Sequence, residues 1–501
     1  MSFNLATMLK ESTVSAPEKT FAYFEGEELS YAQIDEASGR LAATLRRDGY
    51  EPGEAVAVQL PNIPQFVVAY FGILKAGLVM VPLNPLLSPR EIAYHLTDSD
   101  SRALVTFHQF ADNALEGARE AGDVPVYMVG SVPDGARPFD DLLTEADTGD
   151  LVARGADDTA VRLYTSGTTG TPKGAELTHF QLYMNCTVAG SLVDLSGDDV
   201  SVGVLPLFHV FGLSSVLNTV IRYGASIVLI PRFTAEAVID AVETHSATQF
   251  AGVPTMYMAL IQTPTEGRDV SSLRMTISGG SSIPGEVIRS FEEKFPCATV
   301  LEGYGLSETA STSTFNISAE NRKVLSVGKP IWGVDVKIVD ENGDEQPRGA
   351  DHRGEVVVRG HNVMKEYYKR PDATRETLRD GWLHTGDIGY VDEDGFLFIV
   401  DRLKDLIIRG GYNVYPREVE EVLYTHRAVA EAAVIGRDDD RLGEEVTAFV
   451  SLTPGETATE DEIISYCKEQ LAAYKYPRTL TILPSLPKGP TGKILKRALK
   501  S

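Results

Sequence analysis

Helical and strand periodicities alternate through the first part of the chain. Ser30 followed by Gln33 has the form of a reciprocal helix cap, each side chain meeting the other's backbone N–H. Ile34, Leu41 and Leu45 recur on one helical face, and Gly49 stands where that helix would end. EAVAVQLP follows, with Val56, Val58 and Leu60 at a period of two, which predicts a strand. The most apolar run, PQFVVAYFGILKAGLVMVPL from Pro64, is interrupted by Lys75, Gly77 and Pro82, short of the roughly 20 residues of a membrane span. It reads as a buried helix running into a buried strand. SPRE at Ser88–Glu91 opens another helix, with a proline at its first position. RALVTF and PVYMVG are short apolar runs of strand type. The alternation predicts parallel βαβ units with helices on the sheet faces.

The pattern changes after about residue 320. VDVKIVDENGD, GEVVVRG and GYVDEDGFLFIV are short strands parted by Gly/Asp turns. The charged connector DRLKD, a Gly-Gly pair and Pro416 at the head of a helix come next. The remaining residues have their own mixture of helix and strand. The fold class is α/β: a large N-terminal domain of βα-type sheets plus a β-rich subdomain over 1–400, and a small C-terminal α+β domain over 401–501, with the boundary near Asp401–Lys404.

With 501 residues the chain exceeds one ordinary core, in keeping with two domains. A net charge of −25 argues against general affinity for nucleic acid or anionic membrane, and leaves anionic substrates only to a locally positive pocket. Peripheral contact with a membrane, for delivery of a lipid-like acid, is compatible with the sequence but gains no electrostatic support. Cys186, Cys297 and Cys467 are far apart and odd in number, with neither metal spacing nor a disulfide framework. The N-terminus lacks a signal-peptide pattern, and ALKS at the end is not a peroxisomal address. A cytoplasmic protein is expected.

YTSGTTGTPKGA, Tyr164–Ala175, has almost nothing that could fill a core. Glycine amides can converge on an anion because no Cβ blocks the approach. The hydroxyls of Thr165, Ser166, Thr168, Thr169 and Thr171 add donors, and Lys173 adds charge. The stretch is suited to cradle polyphosphate. It is not a Walker A loop, since Pro172 precedes the lysine and Gly174 follows it, and no G-x-G-x-x-G follows an early strand.

T-S-G-T-T-G-x-P-K-G resembles the signature loop of the adenylate-forming superfamily, which includes acyl-CoA synthetases, luciferases of the firefly type and carrier-protein adenylation domains. Further motifs of that superfamily follow in its order: LPLFHVFG at Leu205–Gly212, GYGLSET at Gly303–Thr309, WLHTGD at Trp382–Asp387, DRLKDLIIRGGYNVYP at Asp401–Pro416 and PKGPTGKI at Pro487–Ile494. The resemblance spans nearly the whole chain and is closest in character to bacterial fatty-acid–CoA ligases. It implies a two-step reaction with ATP, Mg²⁺ and CoA. A carboxylate attacks the α-phosphate of ATP to give acyl-AMP and pyrophosphate, and a thiol then displaces AMP. Both steps need charge stabilisation more than a protein nucleophile.

The resemblance also implies roles, residue by residue. Thr165, Ser166, Gly167, Thr168, Thr169, Gly170 and Lys173 would hold the outer phosphates, Glu308 would ligate Mg²⁺, and Thr309 would bond the α-phosphate. Tyr304, beside Gly305, would stack on adenine, with Gly280 and Ser281 against its other face. Asp387 and Arg402 would hold the ribose. Lys493 would bridge the carboxylate and the α-phosphate. The small domain would be mobile, swinging about Asp401 and Lys404, with Gly410 and Gly411 lining the CoA channel. The chain has Ile408-Arg409-Gly410-Gly411 where many aryl-CoA ligases and luciferases have K-Y-K-G, so neither a second catalytic lysine nor luciferase-like oxidation is implied. His209 would gate the acyl pocket, with Val210, Phe211, Val253, Met256, Gly279 and Gly303 lining it. Those apolar or small residues, and VPTMYMALI without an arginine, point to a medium- or long-chain fatty acid and away from short dicarboxylates. An aryl or phenylpropanoid acid also fits. So does loading of an acyl carrier protein instead of CoA, although the large domain lacks the inserted segment that resemblance to such ligases would require.

Overall fold

The computed structural model describes residues 3–165, 171–439 and 441–500. The expected early alternation folds into a seven-stranded sheet. In order across it lie Arg137–Pro138, Val126–Val129, Ser101–Phe107, Ala55–Gln59, Val79–Pro82, Thr159–Thr165 and Lys173–Thr178. Its neighbours are parallel except the last pair, an antiparallel hairpin whose connection is the glycine-rich loop. The reciprocal cap of Ser30 with Gln33 forms, and at the next helix start the Glu91 carboxylate accepts from Ser88 N at 2.8 Å and Ser88 Oγ at 2.7 Å. Gly49 takes a left-handed φ of 79° just past helix Tyr31–Arg47.

One expectation for this sheet differs in detail. Ala55–Gln59 is buried at every position and not on alternate ones. It lies between parallel partners on both sides, where both faces are covered. Helix Pro64–Lys75 is buried except at Gln65 and is followed by the buried strand Val79–Pro82, as expected of this apolar run. Just before it, Asn62 donates to Gly203 O and Leu205 O at 2.9 Å and accepts from Leu207 N, tying the first sheet to a second.

That second sheet has nine strands, with Ser226–Leu229, Val200–Gly203, Gln249–Gly252, Met275–Ser278 and Thr299–Tyr304 parallel at its centre. Its C-terminal strand ends carry the motif residues around Val253, Gly279 and Tyr304. A third sheet is antiparallel, built on Val334–Val339, Gly354–Gly360, Trp382–Val391 and Leu397–Arg402, as the Gly/Asp turns predict. One continuous apolar core runs from Leu5 to Leu397 beneath the large sheets.

The C-terminal residues form their own sheet, beginning with Ile407–Arg409, and their own core from Ile407 to Leu480. The chain is thus a mixed α/β protein with a large N-terminal and a small C-terminal domain. Asp401 and Arg402 still belong to the last strand of the large domain, where Arg402 pairs with Asp387 and Asp401 with Ile388. Among the described residues no helix is long and apolar enough to cross a membrane.

Candidate active site

The site collects where the second sheet, the antiparallel sheet and the C-terminal domain meet. Tyr304 ends the parallel strand Thr299–Tyr304, and its hydroxyl donates to Asp387 Oδ2 at 2.7 Å. Arg402 Nε lies 3.0 Å from the other carboxylate oxygen, Oδ1. Asp387 is buried on strand Trp382–Val391, and burial pushes its carboxyl up while Arg402 opposes the shift. Asp387 in turn raises Arg402 further. A buried carboxylate so paired stays an acceptor fixed in direction. Gly305, next to Tyr304, is obligatory: a Cβ there would lie 1.4 Å from Ser311 O.

A second group of polar side chains is organised around Glu308. The one-turn helix Ser307–Thr309 presents it, and Met364 N donates to its carbonyl at 2.7 Å. Tyr367 donates its hydroxyl to Glu308 Oε1 at 2.8 Å, and Thr165 reaches the same oxygen at 3.4 Å. Lys173 Nζ lies 5.2 Å from the centroid of the Tyr367 ring. Tyr94 fixes the loop's exit by donating to Pro172 O at 2.7 Å. Ser166, Gly167, Thr168, Thr169 and Gly170 lie outside the described residues. The hydroxyl of Thr309 is turned into its own turn: it accepts from Leu306 N at 2.8 Å and donates to Leu306 O at 3.2 Å.

The lysine arrives from the small domain. Lys493, His209, Phe211, Val253, Gly280 and Thr491 enclose a cavity of about 10 Å³. Gly280 has φ +78°, and a Cβ on it would sit 2.9 Å from Lys493 Cε. One direct hydrogen bond holds the incoming loop here, from Thr255 Oγ1 to Gly492 O at 3.0 Å. Burial, then the nearby Arg402, pushes the Lys493 ammonium down to about 8, against the pull of Asp387. Burial and then Lys493 push His209 down to about 3. His209 is therefore neutral, and Phe211 N donates to its Nδ1 at 3.2 Å, which puts the ring proton on Nε2.

The residues expected to line an acyl pocket separate into two sets. Phe211 and Val253 face the cavity. The Phe211 ring also covers Gly279, where a Cβ would lie 3.0 Å from it. Val210 and Met256 do not line the cavity but pack into the large core, since adjacent residues at a helix start point to different sides. Gly303 does not line it either, because the Phe315 ring covers it. Ser281, beyond Gly280, is exposed.

At the boundary, Asp401 accepts from Arg402 N at 2.8 Å and from Arg417 N at 3.1 Å, so it caps helix Pro416–Tyr424. Lys404 is exposed on the short turn Leu403–Asp405. Gly410 and Gly411 have φ of +57° and +84° and form the two-residue turn between Ile407–Arg409 and Tyr412–Val414. That geometry alone calls for two glycines. Gly410 N donates to Leu442 O at 2.7 Å, within the small domain, and the pair does not line the Lys493 cavity.

Tyr367 contacts Glu308 but is passed over by sequence reasoning. It comes from EYYKRP, a stretch without a motif-like spacing, and lies 59 positions from the glutamate it touches.

Residues 9–368 match the family model of AMP-binding enzymes, and residues 418–493 match that of the AMP-binding enzyme C-terminal domain. The chain is similar to a long-chain-fatty-acid–CoA ligase of Bacillus subtilis strain 168, at 36% identity, covering 99% of this chain and 94% of that protein. It is 38% identical to a feruloyl-CoA synthase of an Amycolatopsis species, covering 96% of this chain and 95% of that one. Among solved structures, an anthranilate CoA ligase in complex with anthranoyl-AMP matches with a TM-score of 0.93 at 29% identity, over 99% of this chain and 96% of that one.

Proposed function

Because the chain belongs to the AMP-binding enzymes, within the adenylate-forming superfamily, we propose that it is an ATP-dependent acid–CoA ligase acting on an apolar monocarboxylate, with a medium- or long-chain fatty acid as the preferred class. The observation that carries this reading is Lys493, delivered by the small domain into an otherwise apolar cavity beside the neutral gate His209.

In the first step a carboxylate oxygen of the acid attacks the α-phosphorus of ATP, the bond to pyrophosphate breaks, and acyl-AMP forms. Two anions must meet, and the Lys493 ammonium offsets their repulsion from between them. Asp387 accepts from the ribose hydroxyls while Arg402 opposes the burial that raises its carboxyl, and the ring of Tyr304 gives adenine a face to stack on. The loop Thr165–Lys173 holds the outer phosphates. Glu308 fits Mg²⁺: it is a hard oxygen donor beside that loop, and an ion shared with phosphate oxygens needs only one or two protein carboxylates. Bound there, Mg²⁺ supplies charge neutralisation on those oxygens. In the second step the CoA thiol attacks the acyl carbon and AMP leaves. A rotation about the Asp401–Lys404 segment would withdraw Lys493 and bring Gly410–Gly411 to the thiol path.

The pairing of two arginines outside the cavity lining supports the acid's class. Arg274 is paired with Asp199 at 2.7 Å, and Arg289 is drawn onto Glu286, so neither offers a partner to a second carboxylate there. A desolvated carboxylate without one is costly. Each methylene buried in apolar surroundings contributes about 0.8 kcal/mol. A second reading, an aryl acid, is favoured by the flat Phe211 ring against the Gly279 backbone at the cavity, a surface that suits a planar body.

The test is pyrophosphate release from ATP with acetate, malonate, octanoate, palmitate and a cinnamate, each with and without CoA. Release that rises with aliphatic length, with acyl-CoA formed when CoA is present, is the expected result. Best release with cinnamate would move the substrate to the aryl class. Acyl-AMP that accumulates regardless of CoA would point to a carrier-protein acceptor.

A further inference from the structure

We propose that Tyr367 is a positioning residue for adenylation, holding the carboxylate of Glu308 and the ammonium of Lys173 in fixed relation to each other. The inference rests on the reading above, in which Glu308 takes the cation and Lys173 an outer phosphate.

The segment Met364–Tyr368 touches both groups. At one end Met364 N donates to Glu308 O at 2.7 Å. Along its length it runs beside strand Lys173–Thr178: Lys365 N donates to Glu176 O at 2.9 Å, Glu176 N to Glu366 O at 2.9 Å, and Tyr368 N to Gly174 O at 2.8 Å. Ala175 and Tyr367 form an antiparallel bridge. The strand that begins with Lys173 and the turn that carries Glu308 are thus joined through one short stretch of backbone. Tyr367 adds the side-chain link. It is only 6% exposed, and Thr374 Oγ1 accepts from its backbone N–H at 3.0 Å. Its position is therefore fixed before any ligand enters.

The two ends of the ring face different partners. The hydroxyl donates to Glu308 Oε1 at 2.8 Å, and the weaker contact from Thr165 falls on that same oxygen. One carboxylate oxygen is anchored, so the plane of the group is set and Oε2 is the oxygen offered to a cation. The ring face lies 5.2 Å from Lys173 Nζ, within the range of cation–π attraction. An orienting partner behind a metal ligand typically carries a tenfold to hundredfold share of metal affinity, roughly. Neither contact needs Tyr367 to touch substrate.

The experiment uses the full chain with Tyr367→Phe, which keeps the ring and removes one oxygen. Calorimetry of ATP binding without acid, at a series of Mg²⁺ concentrations, gives the Mg²⁺ midpoint. The variant is expected to need about tenfold more Mg²⁺, with an unchanged thermal midpoint without nucleotide and an unchanged KM for the acid. In a Glu308→Gln background the same change is expected to shift the Mg²⁺ midpoint less than about twofold, since the oxygen it orients is no longer a charged ligand. A wild-type Mg²⁺ midpoint in Tyr367→Phe overturns the proposal, as does a full-sized shift in the Glu308→Gln background. ATP binding by the unaltered protein that ignores Mg²⁺ overturns the reading of Glu308 and the proposal with it.

Discussion

The two sides of the site are held very differently. Asp387, Tyr304, Arg402 and Glu308 sit on strands and turns of the large domain, each fixed by one or more hydrogen bonds or ion pairs within it. Among the described residues, Lys493 sits on a loop of the small domain that meets the large one through a single hydrogen bond at Thr255 and close packing on Gly280 and Val253. The nucleotide side is built into the sheets, and the lysine side is docked against it. Residues on the built side should serve both steps of the reaction, and the docked residue only the first.

The largest break in this comparison is Lys493→Ala. If, as proposed, Lys493 is the cation between the two anions, its loss is expected to slow acyl-AMP formation about a thousandfold, while thiolation of supplied acyl-AMP keeps most of its rate. Separate assays of the two steps check this. Asp387→Asn is next. It leaves the half-exposed Arg402 without its charged partner and removes an acceptor from the nucleotide side, with an expected loss of roughly a hundredfold in nucleotide affinity. Unlike the lysine change, it should impair both steps, and titration with ATP and with AMP checks it.

The smallest effect sharpens the comparison through pH. In the proposed mechanism Lys493 acts as a cation, and burial has pushed its pKa down to about 8. The charged form dominates below that pH and is lost as pH rises through it. The kcat/KM for adenylation, which reports the free enzyme, is expected to fall about tenfold per unit above pH 8, with the thiolation step flat over the same range. A parallel fall in both steps would place the titrating group on the built side.

Much of the built side is legible in the chain. The alternation up to PVYMVG, the reciprocal cap at Ser30, the helix start at Ser88, and the Gly/Asp turns fix elements by local chemistry, and the structure keeps them. Asp387 and Tyr304 stand in motifs, and the fold brings them to 2.7 Å from each other. The rest depends on contacts between distant segments. Burial on both faces of Ala55–Gln59 comes from its neighbours and cannot be read from its own alternation. Val210 lies beside His209 in sequence but turns into the core, because the wide helical turn Phe211–Asn218 begins there and carries no sequence signature. Gly410 and Gly411 suggest a ligand channel in sequence, yet their positive φ values are already required by the hairpin they form. Tyr367 is silent in sequence because the partner that gives it meaning comes from another motif.

The most direct test of a docked lysine is a lock on the dock. A Cβ on Gly492, at φ +80°, would lie 3.2 Å from Thr255 Oγ1, close to the spacing across a disulfide between a sulfur and the far Cβ, with Val253 Cγ2 at 3.0 Å having to give slightly. In Thr255→Cys/Gly492→Cys, with the exposed Cys297 replaced by serine, oxidation should pin Lys493 in the cavity. The expected result is a burst of acyl-AMP that is not passed to CoA until a reductant is added. Thiolation that proceeds at full rate in the oxidised protein would contradict the account, since the lysine loop would then have no need to leave.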